Sequence, residues 1–113
     1  MKIILTIFLI LVGINLYSQT KTYTDYDGDG IIEYTLQDQT DKIIEIGYYL
    51  NNKMHGTWTS FYPSGKKLAV VKFKNGIKHG KWFFFQEDGK VLMVVTYEND
   101  RKIMGRENHY TSQ

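Results

Sequence analysis

The carboxylates of Asp25, Asp27, Asp29 and Glu33 are interleaved with Gly28 and Gly30 in the run Asp-Tyr-Asp-Gly-Asp-Gly-Ile-Ile-Glu. A calcium ion needs several oxygens converging at ~2.4 Å around a sharp turn, so this stretch is a candidate calcium loop. It is not an EF-hand, because Leu36 occupies the twelfth place, where a bidentate Glu would close the site. Glu33, at the ninth place, closes instead a compact non-helical loop between strands. The same residues also suit a plain turn, since Asp and Gly are favoured there for backbone reasons alone. His55 and His79 are the other candidate ligands. If they mark successive hairpins they lie about 9.5 Å apart, two strand spacings of ~4.8 Å, which is too far for one zinc. Their expected role is structural: an imidazole bonded at a turn, beside a Gly that lets backbones approach. With no Cys, and with Ser60 and Ser64 in no nucleophile motif, no catalytic residue is nominated and enzyme activity is not expected.

These groups sit in a chain that says one thing twice. His55, Gly56, Trp58, Phe61 and Gly65 return 24 residues later as His79, Gly80, Trp82, Phe85 and Gly89. A fixed period of this length is the mark of a repeat architecture. Carried backwards, the same step sets Tyr34 under Trp58, Asp41-Lys42 under Gly65-Lys66 and Tyr49 under Phe73. It also sets Asp27-Gly28 under Asn51-Asn52, so the acidic run occupies a turn of the repeat.

Each unit reads as strand, turn, strand, turn. Stretches such as Thr57 to Tyr62 and Lys81 to Phe85 are aromatic and β-branched, bounded by Gly, and too short for stable helices. In Lys67 to Lys74, Ala69, Val71 and Phe73 alternate with Val70, Lys72 and Lys74, the period of a half-buried strand. Pro63-Ser64-Gly65 and Glu87-Asp88-Gly89 suit a type I turn with a bulge, while Asn51-Asn52, Asn75-Gly76 and Asn99-Asp100 tolerate positive φ at the other connection. Short connections pair neighbours antiparallel. The fold class is therefore all-β: a single-sheet antiparallel β-meander of 24-residue hairpin repeats. Strands are expected at 31–37, 42–50, 55–62, 66–74, 79–86, 90–98 and, degraded, near 103–110, where Glu107 falls at the Trp position. In 79–86, Trp82 and Phe84 take one face and Phe83 and Phe85 the other, so a single layer exposes one pair to another chain, a lipid surface or a ligand.

Before the repeats, Ile3 to Val12 form an apolar run behind Lys2, shorter than the ~20 residues that span a bilayer. It reads as a signal peptide over 1–18, cleaved before Gln19, with an uncleaved anchor as the alternative. The remainder divides into an acidic segment, 19–30, and the repeat domain, 31–113. Charge is uneven: residues 19–50 carry seven acids and two lysines, net −5, and 51–113 carry eleven bases and five acids, net +6. That arrangement suits different partners at the two ends, or each other in neighbouring molecules. Nucleic acid is not expected for an exported chain of small overall charge. Anionic lipid or envelope polymer fits the basic half.

Asn-Gly-x-x-His-Gly-x-Trp-x-x-Phe, followed by Gly-Lys and an aromatic strand, resembles the MORN-repeat variant family of bacteria, including YwqK-like antitoxin-type members. The resemblance covers roughly 31–105 and implies a β-hairpin repeat that works by contact with proteins or membrane lipids, without catalytic residues. An export signal departs from a cytoplasmic antitoxin. The reading is an exported binding or scaffold module located in the periplasm, at the outer membrane surface or outside the cell, with homo-oligomers allowed. A calcium-binding module using Asp25 to Glu33 and an antitoxin-like inhibitor of a partner protein are the alternatives.

Overall fold

The computed structural model describes residues 19–107, so the leader expected at 1–18 and any strand past Glu107 lie outside the described residues. Ten strands follow in chain order: β1 (Thr20–Thr24), β2 (Ile31–Gln37), β3 (Ile43–Leu50), β4 (Lys53–Met54), β5 (Gly56–Phe61), β6 (Lys67–Lys74), β7 (Ile77–Lys78), β8 (Gly80–Phe85), β9 (Val91–Glu98) and β10 (Arg101–Glu107). All belong to one antiparallel sheet with the path β1-β2-β3-β5-β6-β8-β9-β10, β4 pairing with β3 and β7 with β6. Position along the sheet thus follows position along the chain.

The 24-residue step is a repeat of hydrogen bonds as well as of side chains. At one end of the sheet Asp38, Tyr62 and Gln86 each donate an N–H to the carbonyl four residues on, at 2.9, 2.8 and 2.8 Å. Each also accepts from the residue three on, which is Asp41, Gly65 or Gly89, and all three have positive φ. At the other end Asn51-Asn52, Asn75-Gly76 and Asn99-Asp100 hold positive φ at both residues, the geometry of a type I′ hairpin loop whose twist matches its strands.

Directly after each of the first two hairpin loops the chain does something its composition conceals. Tyr49 pairs with Met54, yet Ile46 pairs with Thr59, so His55-Gly56 is a two-residue excess on one strand. The same offset separates the Phe73–Lys78 and Val70–Phe83 pairs around His79-Gly80. Gly56 and Gly80 adopt φ of +77° and +74° there, a conformation costly for any residue with a Cβ. The bulge breaks what would be one strand into β4 and β5, and into β7 and β8; with β1 added, ten strands replace the seven expected.

Two further expectations are corrected. Thr20–Thr24, placed by the sequence in the acidic segment ahead of the repeats, is a strand paired in unbroken register with β2. In β10 the bulge holds one residue fewer, so Gly105, and not Glu107, pairs with Val95 at the place Trp82 takes one repeat earlier.

A single layer buries little. Among the described residues only Tyr34, Gly47, Trp58, Ala69 and Val95 are buried, and no side chain is fully enclosed.

Candidate interaction surface

On one face the repeat lays down a row of rings. Tyr23, Tyr34, Tyr49, Trp58, Phe73, Trp82 and Tyr97 follow one another across the sheet with neighbouring centroids 4.9 to 6.4 Å apart. Most meet edge-on or tilted, the arrangements that ring quadrupoles favour. Trp58 and Trp82 are anchored identically: each indole N–H donates to a backbone carbonyl, that of Tyr48 at 3.1 Å and that of Lys72 at 3.0 Å. The two acceptors are themselves one repeat apart. Trp58 lies deeper because Gly47 is beneath it; a Cβ there would stand 2.0 Å from the indole Cδ2. Val71 holds the equivalent place one repeat on. Trp58 is accordingly stacked on Tyr34 at 5.4 Å and 28°.

Lys78 sets its ammonium 5.4 Å from the Trp82 ring and 5.2 Å from that of Tyr97, a cation–π contact on this face. Glu45 is an acid beside the Trp row. It faces Ser60 across the strands, in a groove of about 180 Å³ lined with Met54, Trp58, Phe73 and Trp82. Burial raises its pKa above the usual carboxylate range, and Lys21 offsets part of that. Burial likewise raises the Tyr34 and Tyr49 phenols.

The opposite face carries the row Ile46, Thr59, Val70, Phe83 and Val94, each paired with the next and none fully covered. Phe83 and Phe85 stack beside it with centroids 6.3 Å apart. Leu92 and Met104 extend this side and are 45% and 67% exposed. Around the row lie Lys72, Lys74 and Lys81, all exposed. The basic charge is concentrated in the middle of the sheet, since 51–78 hold six lysines and no acid.

The histidines serve the turns. His55 Nδ1 accepts the Asn75 N–H at 3.3 Å, and the backbone N–H groups of His55 and His79 donate to the Tyr48 and Lys72 carbonyls at 2.9 and 3.1 Å. Gly56, Gly65, Gly80 and Gly89 are turn and bulge residues, while Phe61 and Phe85 pair across the bulges at the far end of their strands. Neighbouring turns are tied by the Tyr62 hydroxyl, which donates to the Phe85 carbonyl at 2.6 Å, and by the Lys42 ammonium, which donates to the Pro63 carbonyl.

The acidic loop divides. Asp27, Asp29 and Glu33 line one groove of about 160 Å³ with Tyr26 and Tyr48, and Asp25 is not part of that wall. Asp25 and Asp29 accept from the backbone N–H groups of Gly28 (2.7 Å) and Ile31 (3.0 Å), which are bonds of the turn itself. Among the described residues no three carboxylate or imidazole groups gather as a metal site.

Sequence reasoning missed Gly47, Glu45 and the aromatic place of Tyr23. The signal for Tyr23 was present, because it lies 24 residues before Gly47 and 48 before Val71. A family model described as MORN repeat variant matches the chain twice, at residues 54–75 and 78–99, each match running from a bulged hairpin strand to the next Asn loop. No curated protein and no solved structure matches the chain.

Proposed function

For a chain carrying two MORN repeat variants at the centre of an open sheet, we propose an exported, non-enzymatic binding or scaffold module that holds a protein or envelope component against one sheet face. One observation carries this reading. The face opposite the ring row presents Val70, Phe83, Val94 and Leu92 with no second layer among the described residues, and lysines border it. Apolar area of this kind, rimmed by charge, is what protein and membrane contacts are built from. The matching partner has an apolar centre and acidic groups at its edge. Export is supported by the apolar run Ile3 to Val12 behind Lys2.

The test compares the processed chain with a Phe83→Ser, Leu92→Ser variant in capture from envelope extract. A component retained by the parent and lost by the variant supports the reading. Identical retention by both places the contact elsewhere and overturns it. N-terminal sequencing of protein from the cell envelope addresses export: a start at Gln19 is expected, and a cytoplasmic chain starting at Met1 contradicts it.

A further inference from the structure

The two edges of the sheet fit each other. Eight strands lie on the path and every neighbouring pair is antiparallel, so β1 and β10 run in opposite directions. A second copy placed beside the first with the same face upward therefore sets its β1 antiparallel to β10 without being turned over. Among the described residues no strand lies on the outer side of either. β1 is lightly protected for an edge: it pairs over five residues in unbroken register, with Lys21 as its one charge, no Pro and no bulge.

The repeat phase of the two edges also matches. Tyr34 pairs with Gly47, Trp58 with Val71 and Trp82 with Val95, one pairing advancing by 24 residues each time. Tyr23 belongs to the Gly47 series and Gly105 stands at the Trp82 place, so the next pairing in the series joins Gly105 to Tyr23 of the following copy. Tyr23 is 58% exposed and ends the ring row, and Gly105 presents no side chain to obstruct it. The Cε and Nζ end of Lys102 lies over Gly105, where it would meet such a ring as Lys78 meets Trp82 and Tyr97.

Charge selects this joint over the symmetric one. β10 carries Arg101 and Lys102, whereas β1 leads into Asp25, Asp27 and Asp29 and pairs Thr24 with Glu33. Two β1 edges would bring acid against acid.

We propose that copies of this chain join head to tail, β1 of one pairing with β10 of the next, to extend the sheet across molecules. The joint needs no occupant of the apolar face and is independent of the binding function above. Being heterologous, it does not stop at a dimer unless a ring closes. Sedimentation of the processed chain over two decades of concentration is expected to show mass rising beyond a dimer at low salt and falling toward monomer near ~1 M salt, where the screening length is ~3 Å. Two charge variants locate the joint: Asp25→Lys with Asp27→Lys just beyond β1, which this register brings to the Arg101 end of β10, and Arg101→Glu with Lys102→Glu on β10. Each alone is expected to stay monomeric, and an equimolar mixture to assemble, because every joint in it again opposes unlike charge. Circular dichroism checks each fold, and Arg101→Gln with Lys102→Gln replaces the glutamate pair if that pair unfolds. A parent monomeric throughout, a β10 variant that still dimerises through β1, or a mixture that stays monomeric overturns the proposal.

Discussion

Gly47→Ala tests whether Trp58 is seated by a missing side chain. The added Cβ would lie 2.0 to 2.3 Å from three indole atoms, well inside contact distance, so the ring must rise off the strand. Rising breaks the 3.1 Å bond from the indole N–H to the Tyr48 carbonyl, worth ~1 kcal/mol, and separates the stacked Tyr34 and Trp58 rings. Forcing volume into a packed site costs typically ~1–3 kcal/mol. Together the loss is about 2–4 kcal/mol, which for a domain of this size lowers Tm by roughly 10–25 °C. Thermal and urea melts followed by tryptophan emission report both the loss and a red shift as the indole, now 5% exposed, meets water. The specific control is a double-mutant cycle with Trp58→Leu, in which the alanine should cost far less. A Gly47→Ala protein within ~0.5 kcal/mol of the parent, or an undiminished cost beside Trp58→Leu, would refute the reasoning.

Further outcomes follow from single contacts. Tyr62→Phe removes the hydroxyl that ties two turns through the Phe85 carbonyl and should cost ~1 kcal/mol by urea denaturation. Asn52 holds φ +63° where the next repeat has Gly76, so Asn52→Gly should gain a few tenths to ~1 kcal/mol in the same assay. Glu45 has a pKa raised by burial, so its contribution is full below the unfolded carboxylate range and is lost as pH rises through the folded value. Glu45→Gln should therefore gain on the parent in Tm as pH climbs from acid to neutral, and a constant difference would count against the assignment. Asp38 runs the opposite way: hydrogen bonds from Thr40 lower its pKa, so what it adds is present at neutral pH and lost on acidification through the folded value.

Most of the sheet was legible because a hairpin repeat writes itself locally. Trp58 and Trp82, the turn residues at Gly65 and Gly89, and the Asn loops each act within a few residues of themselves, and their spacing placed strands β2, β3, β5, β6, β8 and β9 within a residue or two. Three features were not legible, each for a physical reason. Thr20–Thr24 is short and polar with an acidic turn after it, and what makes it a strand is its five-residue pairing with β2, a contact its local composition does not announce. The two-residue bulge at His55-Gly56 depends on backbone φ, which a Gly permits and does not announce. The place of Gly47 under Trp58 joins residues on different strands, and the local composition of β3, which is aliphatic and aromatic, gives no hint of it. The apolar face stands between these cases: alternation assigned Phe83 and Phe85 to it, and only the single layer shows that nothing among the described residues covers it.

The central claim is that two like β-hairpin units lie side by side and seat their tryptophans alike. Nuclear magnetic resonance of the two indole N–H groups tests it most directly. Both should exchange slowly, with Trp58 showing cross-strand contacts to the rings of Tyr34 and Tyr49 and Trp82 to those of Phe73 and Tyr97. An indole that exchanges as in an unfolded peptide, or contacts that place either tryptophan on a helix, would contradict the account.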